Sequence, residues 1–405
     1  MLSYRKYPLK ADRAFLLLMI LAICQNTIFI FPVVFVSRLP VIGPLADCIL
    51  PITYTILACM SYSRDRVRNI RQQDFFLIFF FFFFFIVSII RNPACEKHIL
   101  DAWGVDIYPA IPFFFLGLCF RPDKITMECL GKWCSFAVIF LSFYLLVIAN
   151  DKGQLAEEYD MGAAYRLLAS TMITINYALS SRKKFPIIAS LIGVFYSLSM
   201  GTRGPLLVII IFAAICFLYH YQITPKKKIA FIIIASILTF LFISGDAFIQ
   251  LIVLPLRDFM LAFGVSTRIL DLFLQAEIGD VNTRQAIYDF LFKKLSEQPL
   301  LGYGAYAEWT FGIQGAHRVY VEILFEYGYV LGSFIMGAYA ITLIKAFKAA
   351  KGNRLYMEWL ILWAAYVLLR GIWGERFISF QVFFLLGYCL NIIREKKRTF
   401  KACVK

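Results

Sequence analysis

The sequence predicts an all-α, polytopic membrane protein with about twelve transmembrane helices and one long, partly helical outer loop. Three observations carry that reading. The chain of 405 residues is 61% apolar and only 17% charged, whereas a soluble domain is nearer half apolar and a quarter charged. Apolar stretches long enough to cross a bilayer recur along it, and one contains an unbroken phenylalanine run at 79–85. The formal net charge is +15, and the basic residues gather in alternate connections, as cytoplasmic loops do. The composition excludes a soluble enzyme, a disordered chain and a disulfide scaffold. Residues 1–405 read as a single integral membrane domain.

A bilayer core takes about 20 apolar residues per helix. Spans read near 14–36, 41–62, 74–90, 103–120, 134–149, 163–180, 185–200, 204–222, 229–250, 319–344, 355–373 and 377–393. The stretch 103–120 is the weakest of these, because Pro109 and Pro112 interrupt it and Asp106 lies inside. It reads as re-entrant, or as kinked against neighbours that satisfy the freed backbone groups. The first span shows no small-residue cleavage site, so no signal peptide is expected.

Basic residues fall before the first span (Arg5, Lys6, Lys10, Arg13), in every second connection, and after the last span (Arg394 to Lys405). Roughly 27 of the 41 lie on that side. The positive-inside rule then puts both termini in the cytoplasm. These clusters set topology and imply no nucleic-acid partner. Among the ten cysteines no pair has metal-ligand spacing, and only Cys95 reads as outer, so no disulfide is expected. The three histidines, His98, His220 and His317, are scattered, and no metal site is expected.

The longest outer connection runs over roughly 251–318, and long structured loops are usually functional. Asn282 or Thr283 caps a helix in which Ile287, Phe290, Leu291 and Leu295 recur at helical spacing, and Pro299 ends the run. Residues 254–263 and 268–274 read as short helices on the membrane surface or over a cavity.

Within Met200-Gly201-Thr202-Arg203-Gly204-Pro205, Pro205 opens the eighth helix from outside. The free N–H groups and positive dipole end there stand beside Arg203, an arrangement that suits an anion. An interfacial arginine snorkelling to lipid head groups reads equally well. His317 closes the long loop, and Glu322 and Glu326 follow on the early turns of the tenth helix, four residues apart and so on one face. Acids entering a membrane helix are expensive and carry a functional reading by default.

Three stretches resemble the O-antigen ligase and polymerase superfamily, the integral-membrane glycosyltransferases that use undecaprenyl-diphosphate-linked glycans. The first is Ser199-Met200-Gly201-Thr202-Arg203-Gly204-Pro205-Leu206-Leu207. The second is Thr283-Arg284-Gln285-Ala286-Ile287-Tyr288, running to Pro299-Leu300-Leu301-Gly302-Tyr303-Gly304. The third is Ala316-His317-Arg318-Val319-Tyr320-Val321-Glu322, ending Glu326-Tyr327-Gly328. Arg318 stands where the family pattern has Asn.

The resemblance implies glycan transfer from an undecaprenyl-diphosphate donor to a sugar hydroxyl of a glycan acceptor. The reaction takes place on the outer face of the bacterial inner membrane, without a cofactor or metal. Arg203 and Arg284 clamp the diphosphate, since guanidinium forks stabilise developing phosphate charge. His317 takes the acceptor proton, with Glu322 orienting it. Arg268, Arg318, Arg166 and Glu326 are secondary candidates. An in-line attack inverts the anomeric centre.

A flippase and a chain-length regulator are the implied protein partners. A polymerase of O-antigen, capsule or exopolysaccharide is the first reading. A ligase that moves glycan to lipid A-core shares the donor chemistry and is the second. A lipid-glycan transporter is the third, and the sequence shows none of the internal repeats common in transporters.

Overall fold

The computed structural model describes residues 16–20, 53, 56, 60, 70–103, 107–151, 161–199, 203–220, 254–262, 267, 271, 281–313, 318–373 and 376–404. Every element among them is helical. In chain order they are α1 (Gln72–Arg91), α2 (Cys95–Ala102), α3 (Tyr108–Cys119), α4 (Lys124–Asp151), α5 (Met161–Ser181), α6 (Lys184–Ser199), α7 (Arg203–His220), α8 (Leu254–Ala262) and α9 (Val281–Glu297). A 3-10 helix (Ala307–Phe311), α10 (Val319–Ala350), α11 (Arg354–Trp373) and α12 (Phe380–Val404) follow.

The chain is a multi-pass membrane protein: among the described residues, 4 helices are long and apolar enough to cross a bilayer, Gln72–Arg91, Lys124–Phe143, Val319–Ala350 and Arg354–Ile372. Tyr108–Cys119, Lys184–Ser197 and Pro205–His220 are shorter apolar helices. The predicted spans near 14–36, 41–62 and 229–250 lie almost wholly outside the described residues. Within the stretch expected as one span at 103–120, the described helix is the 12-residue α3, about 18 Å long. Pro109 sits in its first turn, where a missing N–H costs little, and Pro112 lies inside it.

The chain divides into two compact units, Met1–Cys129 with Thr283–Lys405, and Leu130–Asn282. In the first, α12 lies against α3 at a crossing of two glycines. A Cβ at Gly117 would meet the backbone at Phe384 and Tyr388, and one at Gly387 would meet Phe114 and Leu118. Small residues let membrane helices approach to backbone contact in this way. Phe120, Phe384, Tyr388 and Trp359 fill the space beside the crossing, all buried. Asn391 donates to the Phe120 carbonyl, which the end of α3 leaves open. At the start of α1, Arg394 of α12 forms two hydrogen bonds to Asp74, both groups buried.

In the second unit α5, α6 and α7 pack on one another. Gly193 admits the Thr171 side chain, and Gly131 admits the Tyr177 ring. His220 Nε2 lies 2.8 Å from Asn176 Oδ1, so this histidine belongs to the packing between α5 and α7. The short helix expected at 254–263 is α8, and the amphipathic helix expected from 284 is α9, which starts slightly earlier, at Val281.

Candidate functional site

The site grows from a break in α10. At Gly328 the backbone takes φ 75° and ψ 174°, and the helix divides into two stretches. The tenth helix, expected as one continuous span, is bent here. The bend sets the stretches against each other: a Cβ at Gly332 would lie 3.0 Å from the Ile323 carbonyl oxygen. In a straight helix these positions would be about 13 Å apart.

A broken helix leaves backbone groups without partners, and in a membrane protein something must satisfy them. The Pro299–Gly304 motif does so. Tyr303 N–H donates to the Phe325 carbonyl at 3.0 Å and Gly304 N–H to the Glu326 carbonyl at 2.9 Å. Tyr329 N–H, beyond the break, donates to the Pro299 carbonyl at 2.7 Å. Gly302 and Gly304 have φ of 62° and 100°, left-handed values that glycine adopts without strain, which explains the residue type. The Tyr303 ring stacks on Phe325 with centroids 5.0 Å apart.

The end of α1 holds the same turn from the other side. Arg91 donates to the Leu301 carbonyl at 3.0 Å and the Gly302 carbonyl at 2.9 Å. Ser88 Oγ accepts from Ala305 N–H at 3.0 Å. Two motifs that are well separated in sequence therefore form one hydrogen-bonded body.

Behind the turn lies a buried acid cluster. Glu326 is 1% exposed, and its Oε1 accepts from Tyr306 N–H at 2.6 Å. Glu308, in the 3-10 helix, is also 1% exposed, and neither carboxyl oxygen has a hydrogen-bond partner among the described residues. Burial raises its pKa to about 7, and the Arg376 guanidinium works against that rise. Arg376 lies 4.5 Å from the Trp309 ring centroid and 5.9 Å from that of Tyr306. The Cys95 thiol is pushed up to about 12, first by burial and then by the charges of Glu326 and Glu308. It stays protonated at neutral pH and is no nucleophile. Glu322, buried in the first turn of α10, accepts from Phe377 N–H at 3.2 Å.

Arg318 is the extended residue immediately before α10. Its guanidinium stacks 4.4 Å above the Tyr288 ring of α9 and donates to the Tyr320 hydroxyl at 2.8 Å. Arg284 stands four residues before Tyr288, one helical turn away on the same face of α9. The helix bearing Arg284 and the residue that follows His317 are therefore brought together. Arg203 opens α7 and Arg166 lies in α5, both as helical positions. His317 and Arg268 lie outside the described residues.

Sequence reading passed over Glu308, Arg376 and Arg91. A signal existed for the two arginines: both sit on connections read as outer, where the positive-inside rule expects few basic residues. Glu308 gave no comparable signal.

Residues 186–336 match the family model described as O-antigen ligase. That stretch is similar to the O-antigen ligase and polymerase superfamily. It takes in all three motifs and the whole turn docked at Gly328. The match supports a membrane glycosyltransferase of O-antigen ligase type, with lipid-linked glycans as its substrates. No curated protein matches the chain.

Proposed function

We propose that the protein polymerises undecaprenyl-diphosphate-linked repeat units on the extracytoplasmic face of the bacterial inner membrane, without a metal and with inversion. The observation that carries this is the docking of the Pro299–Gly304 turn into the break at Gly328. It fixes the start of α10 and the end of α9 in one body within the matched segment. In this reading Arg203 and Arg284 hold the diphosphate and stabilise the charge it gains as the glycosidic bond breaks. His317, with Glu322 orienting it, removes the proton of the attacking hydroxyl. Arg318 adds positive charge at the same helix start. Both termini are cytoplasmic, and 251–318 is the outer loop that carries the acceptor side.

The family description favours a second reading, transfer of finished glycan to lipid A-core. The glycan profile of a deletion strain separates the two. Accumulated lipid-linked single repeats support the polymerase, and intact polymer retained on carrier lipid supports the ligase. An unchanged profile overturns both. Undiminished transfer by purified protein in excess EDTA supports the metal-free reaction.

A further inference from the structure

A stacked pair joins the start of α10 to α9. The Arg318 carbonyl accepts the Val321 and Glu322 N–H groups at 3.0 and 3.1 Å, so this residue moves with the first turn of α10. Its guanidinium crosses to α9 and lies 4.4 Å from the centroid of the Tyr288 ring. Nη1 donates to the Tyr320 hydroxyl at 2.8 Å, which fixes the orientation of the guanidinium over that ring. Arg318 is half-buried and Tyr288 is buried. A cation over a ring is held more firmly where water is excluded, and the flat guanidinium stacks where an ammonium cannot.

Tyr288 belongs to the buried face of α9, with Leu291 and Leu295. Further along the helix the docked turn provides the support. The Tyr303 hydroxyl donates to the Lys294 carbonyl at 2.9 Å, and the Phe290 and Phe311 rings meet with centroids 5.7 Å apart. Tyr288 lies nearer the start of α9, one helical turn from Arg284 and on its face. The Arg318 stack therefore ties the Arg284 side of α9 to α10, while the turn ties the far side.

We infer that Tyr288 is a positioning residue for the proposed transfer and acts through Arg318. The stack sets Arg284, on α9, against the start of α10, which His317 precedes. The inference rests on the proposed reaction and adds the contact that aligns its diphosphate side with its proton-accepting side. It also accounts for Arg318 standing where the family pattern has Asn. A shorter, neutral amide makes no such stack, so the ring and the arginine work as a pair. In this role the guanidinium serves the protein rather than the substrate.

The test uses full-length protein in nanodiscs with a lipid-diphosphate glycan donor. Tyr288→Leu keeps an apolar side chain and removes the ring face, whereas Tyr288→Phe keeps the ring. The leucine variant should lower kcat about tenfold with the donor KM little changed, because misaligned groups cost rate more than binding. The phenylalanine variant should restore the wild-type rate. A side chain that served folding alone would reduce the folded fraction without changing kcat per folded molecule. Arg318→Gln breaks the same stack from its more exposed side, should give the same loss, and serves if the leucine variant folds poorly.

The double variant, Tyr288→Leu with Arg318→Gln, should lose no more than either single change. Additive losses, an unchanged kcat in both single variants, or a phenylalanine variant as impaired as leucine overturn the inference while leaving the reaction standing. A raised donor KM confined to Arg318→Gln overturns it too, since Arg318 would then hold substrate directly. Wild-type protein that consumes no donor removes the reaction itself, and the inference with it.

Discussion

The Glu326 carboxylate accepts the Tyr306 N–H at 2.6 Å, and so ties the aromatic turn after Gly304 to the stretch of α10 before its break. The bond is fully buried. Glu326→Ala would leave that N–H without a partner, at a cost of about 1–3 kcal/mol. Glu326→Gln keeps an acceptor in place and should cost less. Thermal unfolding of the two variants in one detergent should rank alanine below glutamine below wild type. Equal midpoints for all three would show that the turn stands without this bond.

Gly328 should tolerate no side chain. Its φ of 75° strains any other residue, and a Cβ would run into the Leu300 carbonyl. The strain alone is of order 1–3 kcal/mol, and the collision adds to it. Gly328→Ala should therefore undock the Pro299–Gly304 turn and expose it to limited proteolysis. Gly337→Ala, which meets nothing within 4 Å, is the control in the same helix. Matching cleavage patterns for the two variants would count against the docking.

Glu308 gives the stability a pH dependence whose sign can be worked out. An unfolded glutamate ionises near 4.5, whereas burial holds the folded group protonated up to about 7. Between those values the folded state keeps a proton that the unfolded state has released, so stability falls as pH rises through the window. Glu308→Gln cannot ionise. Its melting temperature should match wild type near pH 4 and exceed it at pH 8. Parallel profiles across that range would mean the carboxyl does not titrate in this way.

Asp74 and Arg394 form a buried pair, with hydrogen bonds at 2.7 and 2.5 Å, and Asp74 also accepts from Arg71 N–H at the start of α1. Removing one partner strands a buried charge. Asp74→Ala should cost about 3–5 kcal/mol, while the double change Asp74→Leu with Arg394→Met should recover most of the loss. A double-mutant cycle on unfolding midpoints checks this, and additive losses would deny the coupling.

Hydropathy was enough to find the helices, because apolar length is a local property. The expected spans from 74–90 through 204–222, and from 319 onward, fall on described helices, with α3 covering 108–119 of the stretch at 103–120. Three features are set by distant partners and were not legible. The bend at Gly328 exists because residues 299–304 satisfy the broken backbone, and no local window contains both segments. Arg394 reads as one more cytoplasmic charge, yet Asp74 neutralises it across the fold. Glu308 looks like a loop acid, although aromatic packing buries it. The site was half legible: the motifs marked both ends of the docked turn, while Arg91 and Arg376 needed the charge rule applied to every outer arginine.

The catalytic assignments predict separable losses. Arg203→Ala and Arg284→Ala each remove a guanidinium from a leaving group that gains charge in the transition state, so both should abolish long glycan chains while the protein still inserts. Lysine at either position keeps the charge without the fork and should restore only part of the activity. His317→Ala should lower transfer by at least the roughly 10²-fold typical of lost acid–base help, and flatten the acidic limb of the kcat profile. That flattening distinguishes a proton acceptor from a residue that only positions substrate. In vitro transfer with a defined lipid-diphosphate donor, measured from pH 5 to 9, decides it: a near-normal rate with an unchanged limb would take His317 out of the chemistry and leave the arginine clamp to be judged alone.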